Sequence, residues 1–327
     1  MRHGPSMRLT DSMSDEFLPI RVSTLRGDAR IKFNAYVQVA GKHILICREG
    51  DSFEGERLER LRGKKLARMY IQKSDEAAYQ AYIAENISRV FENLGQKPVE
   101  VRTQILHGLL QATAEDLMES PTDMSLFVSA KKHAEKFVKL FAVEPAILNI
   151  FLNLKKTDFS VSHHEVTVAA LALAISFEMG LAETHALKIV PMVLGALLHD
   201  IEHTYNNINF SVPASKLTKA EQHLHRAHAM AGYERLNQAS HFDPTTLIVV
   251  SEHEENIDGS GPRGKNERHL DLMSMVVSAA NSFDHYLLYE DIAPKEALKK
   301  MLIDKMGLVH LEAMRGLQEA LKKRGII

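Results

Sequence analysis

The chain of 327 residues holds a single cysteine, Cys47. It can therefore form no internal disulfide and no thiolate cage for a metal. Any metal must be held by nitrogen and oxygen, which favours iron, manganese, zinc or magnesium over soft-metal chemistry. Long apolar runs are also missing: no stretch reaches the roughly twenty residues that a membrane helix needs. The opening MRHGPSMRLTDSMSDE is polar and lacks the apolar centre of a secretory signal. It reads as a mobile tail over 1–16, and the protein as cytoplasmic with no membrane span. No sign of charge dominates, since the formal net charge is −2. That argues against a nucleic-acid polymer as the partner of the whole chain. Repeats and long low-complexity segments are absent as well.

What remains is ordinary globular text, 45% apolar and 25% charged, long enough for two domains. From Phe17 to about Lys73 it reads as strands. Phe17–Ser23 is short and apolar. Ala29–Val39 and His43–Cys47 flank a tight Ala40-Gly41-Lys42 turn, the mark of a hairpin. A basic stretch over 56–68 reads as a solvated face, and Met69–Ile71 as the last strand. From Ser74 the period becomes helical, with segments over 75–94, 98–118, 123–141 and 144–155 and Pro98, Pro121 and Pro145 at starts or breaks. Beyond Asp158, Val168, Leu171 and Ile175 form an inward-facing helical stripe. The fold class is mainly α, a helical bundle preceded by a small β-rich (α/β) domain. The expected boundaries are 17–73 for that domain, 74–150 for a helical linker or bundle extension, and 151–327 for the helical domain.

Ten of the seventeen histidines lie between His163 and His253. One of them, His199, is followed by Asp200 at the end of the apolar run IVPMVLGALL. A buried imidazole beside a buried carboxylate needs a partner, because an unpaired charge there costs several kcal/mol. His164 opens one helix, His203 stands one turn beyond His199, His228 lies within a helix, and His253-Glu254 close another apolar segment. Asn281 and Asp284 share a later helix. A lone histidine is more often a satisfied polar residue of a core. Several from separate helices, with a carboxylate, are how metal sites are built inside bundles.

The order of these residues is that of the HD superfamily, and the detail is similar to its HD-GYP family. LLHDIEH resembles LLHDIGK. SKLTKAEQHLHRAHAMAGYERL resembles K-L-T-x-x-E followed by H-x-x-x-G-x-x-x-L. SEHEENIDGSGPRG resembles HHExxDGxGYP, and VVSAANSFDHY resembles V-A-D-x-x-D-A-L. The resemblance covers about residues 155–290. It implies an HD-type helical domain and a hydrolase that cleaves cyclic di-GMP through two divalent metals, iron first, manganese or zinc as alternatives. It further implies that a metal-bridging hydroxide is the attacking group. His164, His199, Asp200, His228, His253, Glu254 and Asn281 match ligand positions, Asp200 being the bridging carboxylate. His203 takes the place of a phosphate-contacting lysine and offers a proton donor with a pKa nearer 7. Asp200 and His203 are thus the candidate catalytic pair, and Lys216, Arg226, Gly261 and Arg263 the candidate substrate contacts. Glu165, Glu202, Glu252, Glu255 and Asp258 are the candidate acceptors for the imidazoles' second nitrogens, and Asp284 reads as a hydrogen-bonding residue behind the ligands.

The departures are specific. Glu254 replaces the signature's second histidine, Asn281 an aspartate, and Asn256 an arginine. Ser160 stands where some members place a glutamate for a third metal, which leaves two. The tyrosine of GYP is missing between Gly261 and Pro262. Three functions follow: a phosphodiesterase for cyclic di-GMP or a related cyclic dinucleotide; a catalytically weak binding module that signals through a cyclic dinucleotide or a protein partner; and an HD hydrolase of linear nucleotides, which the K-L-T and DGSG runs disfavour.

Overall fold

The computed structural model describes residues 16–327, apart from residues 28, 54–57, 59, 62–65, 67, 92–97, 155–159, 207, 210 and 211. The tail expected over 1–16 and most of the basic stretch at 56–68 fall outside the described residues. The chain divides into two units, Met1–Lys97 and Pro98–Ile327.

The first unit is an antiparallel sheet of β1 (Phe17–Arg21), β2 (Ala35–Val39), β3 (Lys42–Cys47) and β4 (Arg68–Gln72), in the order β1-β4-β2-β3. Val39 pairs with Lys42, which leaves Ala40 and Gly41 as a two-residue loop. Both have positive φ, 48° and 78°, the geometry whose twist matches a hairpin. The strand expected from Ala29 begins only at Ala35; Arg30 makes one isolated bridge to Ser52. Ile20, Ala35, Cys47, Met69 and Ile71 are buried on the sheet's core face. Helix α1 (Glu76–Phe91) covers that core, with Tyr79 and Tyr82 edge-on to Phe33 at 5.6 Å each. The helices expected over 74–150 thus divide: α1 belongs with the sheet, and those after Pro98 with the second unit.

The second unit is wholly helical among its described residues. Its elements are α2 (Val99–Glu119), α3 (Met124–Val143), α4 (Ile147–Leu154), α5 (Val161–Glu178), α6 (Leu181–Thr184), α7 (Ala186–Ala196) and α8 (Ile201–Asn206). After these come α9 (Lys219–Asn237), α10 (Pro244–Glu252), α11 (Leu272–Glu290), α12 (Pro294–Asp304) and α13 (Leu311–Lys323). No single described helix is long and apolar enough to cross a membrane. Helix α5 is the axle: every residue from Ser162 to Ser176 is buried. The stripe expected from Val168, Leu171 and Ile175 is only part of its packing. Helices α2, α7, α11 and α13 surround α5, so its apolar residues extend round the whole circumference.

Glycines set the closest crossings. A Cβ on Gly195 of α7 would stand 2.7 Å from the Val249 side chain of α10 and 3.1 Å from the Thr246 carbonyl. Thr246 Oγ1 also donates to the Pro191 carbonyl across the same crossing, at 2.9 Å. These two helices lead directly into the residues that the sequence singles out, at 199–200 and 253–254. Gly195→Ala is expected to destabilise the helical unit by about 1–3 kcal/mol through overpacking. Adding Val249→Ala should recover part of that loss. Urea unfolding of both variants, followed by circular dichroism, checks this.

Candidate metal centre

Five helical segments deliver the site. Ser160 caps α5, accepting from the His163 amide at 3.2 Å, and this puts His164 in the first turn. His199 and Asp200 lie on the turn between α7 and α8, where the Leu198 and Ile201 amides bond back to Gly195 and Leu198. His203 follows on α8. The K-L-T-x-x-E run is a capping box: Thr218 and Glu221 satisfy each other's end of α9, which carries His225 and His228. His253 ends α10, and Asn281, Asp284 and His285 ride on α11.

The side chains converge on one carboxylate. Asp200 Oδ2 faces His164 Nε2 at 3.7 Å and His199 Nε2 at 3.6 Å. Asp200 Oδ1 faces the Nε2 atoms of His228 at 3.1 Å, His203 at 3.3 Å and His253 at 3.4 Å. All six residues are buried. Glu254 Oε1 stands 3.9 Å from His253 Nε2 and accepts from Asn281 Nδ2 at 3.1 Å.

The backs of four rings are tied to acceptors that have no proton to give. His199 Nδ1 meets the Ala196 carbonyl at 2.8 Å, His253 Nδ1 the Val250 carbonyl at 2.8 Å, and His228 Nδ1 the His225 carbonyl. His164 Nδ1 meets Asp284 Oδ2 at 2.6 Å. Each Nδ1 must therefore carry the hydrogen, and in a neutral ring each Nε2 then presents a lone pair to Asp200. The acceptors are three backbone carbonyls and Asp284, not the glutamates considered from sequence. Glu202 takes Arg235 at 2.5 Å, Glu252 holds Lys265 and the start of α11, and Glu255 and Asp258 bind the 256–266 loop. Glu165 is buried, and burial first, then the charge of Asp200, pushes its carboxyl well up.

Charge follows from this geometry. Burial would raise the Asp200 carboxyl, yet the imidazoles of His203 and His199 hold it well below the usual range. Burial drives His199 down to about 3, so it is a neutral donor. For His228 burial is outweighed by the bond and charge of Asp200, and the ring rises to about 9. Glu254, despite burial, is brought to about 2 by His253, His228, His285 and His225. His228 Nε2 and His253 Nε2 stand only 2.8 Å apart. At that distance a proton or a metal ion must lie between them. His199 Nε2 and Asn281 Oδ1 are buried with no hydrogen-bond partner among the described residues. Imidazole nitrogens, a carboxylate and amide or carboxylate oxygens thus fit a divalent metal.

Lys216, Arg226 and Arg263 are exposed, and among the described residues no hydrogen bond or ion pair joins their side chains to this cluster. Gly261 is buried; a Cβ there would lie 2.7 Å from the Glu255 Cα and 2.8 Å from the Asn256 nitrogen. Its role in the described structure is to let the loop close on Glu255, which accepts from the Arg263 amide at 2.7 Å and the Lys265 amide at 3.0 Å. The sequence reading passed over His285 and Tyr289. His285 stacks on His164 at 5.2 Å and on Tyr289 at 4.9 Å. Their spacing from Asn281, four and eight residues along α11, was the available signal.

The chain matches the HD domain family model over residues 161–310. It is similar over 94% of its length to the solved structure of an HDG"Y"P protein from Bdellovibrio bacteriovorus. That comparison has a TM-score of 0.87, 36% identity and 100% coverage of the other chain. It is also 25% identical over 216 residues to a cyclic di-GMP phosphodiesterase of Thermotoga maritima. That alignment covers 56% of this chain and spans 57% of the relative's length.

Gly261→Ala is expected to destabilise the 256–266 loop by about 1–3 kcal/mol, because the new methyl meets backbone that cannot yield cheaply. Limited proteolysis should show faster cutting within 256–266 than in the parent; equal rates would refute the close approach.

Proposed function

Because this chain belongs to the HD-GYP family of HD-domain phosphohydrolases, as an unconventional member without the signature tyrosine, we propose that it is a metal-dependent phosphodiesterase for cyclic di-GMP or a related cyclic dinucleotide. The observation that carries this reading is the set of imidazole Nε2 atoms turned onto the two oxygens of Asp200. The oxygens sort them, His164 and His199 on one side, His228 and His253 on the other. That division suits two ions bridged by Asp200, with Asn281 and Glu254 as further oxygen donors. Iron is the ion we assign, with manganese and zinc as alternatives.

Divalent ions there neutralise the charge of a phosphodiester and lower the pKa of water to near neutrality. The protein's own part is positional. Imidazoles, unlike carboxylates, add no negative charge that would repel an anionic diester, and the carbonyls behind three of them fix ring and tautomer. Burial of Asp200 keeps bulk water from competing for its oxygens.

The parent purified with its metals is expected to hold two divalent ions per chain and to open cyclic di-GMP to a linear product. His199→Ala should lose metal and activity together, by about 100-fold or more in rate. Elemental analysis and chromatography of the nucleotide check this. Tight binding of cyclic di-GMP without turnover would select the binding-module reading, and absence of metal from the parent would sink both.

A further inference from the structure

The resemblance puts His203 where a lysine reaches substrate phosphate. The distances point elsewhere, and we propose that His203 is itself a metal ligand, completing the shell of the ion on the Oδ1 side of Asp200. The inference rests on the two-metal reading above.

An ion about 2.1 Å from each of four tetrahedral donors holds those donors about 3.4 Å apart. Asp200 Oδ1 is 3.1 Å from His228 Nε2, 3.3 Å from His203 Nε2 and 3.4 Å from His253 Nε2. His203 therefore stands no farther from the shared oxygen than His253 does, and closer than either imidazole on the Oδ2 side. Its ring lies 4.7 Å from that of His228. One nitrogen each of His203, His225 and His228 lies within 4.8 Å of the others, a group that shares His228 with the separate group of Asp200, His228 and His253. His203 is buried, and its amide donates to the Asp200 carbonyl at 2.9 Å, so the α8 turn fixes the ring beside the carboxylate. One feature separates it from the other four: its Nδ1 has no hydrogen-bond partner among the described residues. With no acceptor behind it, His203 is the least firmly held member of the shell. A lysine could not take this place, since an ammonium presents no lone pair.

The two roles for position 203 predict opposite orders of rescue. Full-length protein is stripped with a chelator and titrated with Co²⁺, following bound cobalt by elemental analysis and its visible absorption. The parent is expected to bind two ions. His203→Ala should keep one at parental affinity and bind the second at least about 10-fold more weakly, with a matching loss of absorption. His203→Glu, which restores a donor atom, should recover the second ion, and His203→Lys should not. Retention of the first ion and an unchanged far-ultraviolet spectrum report that the variants fold. If His203→Ala binds both ions like the parent, the inference is overturned while the metal centre stands. If the parent binds no cobalt, or Asp200→Ala binds as the parent does, the two-metal reading fails and this one with it.

Discussion

The helical unit is organised around a buried conflict that a proton or a divalent metal ion would resolve. Asp200 is a buried carboxylate, and four of the five imidazoles that surround it have opposite edges that already hold acceptors. A protein that needed only a stable core would not gather these groups. Apolar residues of similar size would do as well or better, since buried charges seldom repay their desolvation. The stability to hold the conflict comes from elsewhere. Helix α5 is buried over fifteen consecutive positions, and Gly195, Gly232 and Gly316 let its neighbours close to distances that a methyl would block. The bundle clamps the site's backbone, and the backbone aims the rings.

That aiming uses one local device three times. His199, His228 and His253 each turn Nδ1 back to the carbonyl three residues earlier, on Ala196, His225 and Val250. The acceptor is thus supplied by the last turn of the helix or turn that carries the ring. No partner from another element is needed, and rotation of the ring costs a buried hydrogen bond. His164 stands in the first turn of α5, where the carbonyl three residues earlier is not its acceptor. It uses Asp284 of α11 instead. This divides the labour of α11: Asp284 holds a ring from behind, while Asn281, three residues earlier, faces Glu254.

The same device explains what the sequence disclosed and what it hid. The identities and order of His164, His199, Asp200, His228 and His253 were legible because a bundle must draw its donors from several helices at recurring spacings. The hairpin was legible from its Ala40-Gly41-Lys42 turn. Asp284 was legible as a hydrogen-bonding residue behind the ligands; the other three outer acceptors were not, because a backbone carbonyl has no letter. Glu202, Glu252 and Glu255 looked like candidates through proximity along the chain, yet each is committed to Arg235, to Lys265 with the head of α11, or to loop amides. Lys216, Arg226 and Arg263, read as phosphate contacts, are exposed and stand apart from the Asp200 cluster's bonds among the described residues, and charge without a facing direction does not say what they meet. The stripe on α5 was a partial truth for a related reason. A periodic apolar pattern marks one buried face and cannot tell that the remaining faces are covered too.

Two departures from the family pattern gain sense only when seen together. A histidine is replaced by Glu254, and an aspartate by Asn281. Taken singly, the first adds a negative charge to the candidate ligand set and the second removes one. Taken together they leave the total formal charge of the set as it would be with neutral histidine and ionised aspartate. The two residues also touch, Asn281 Nδ2 donating to Glu254 Oε1 at 3.1 Å, which leaves Asn281 Oδ1 buried and without a hydrogen-bond partner. The exchange therefore moves charge within the site without changing its sum. It shifts the carboxylate toward the His228 and His253 side, where four imidazoles draw the Glu254 carboxyl down to about 2. The two contacting residues thus leave the candidate ligand set with the formal charge of the family pattern, a sum that suits divalent ions.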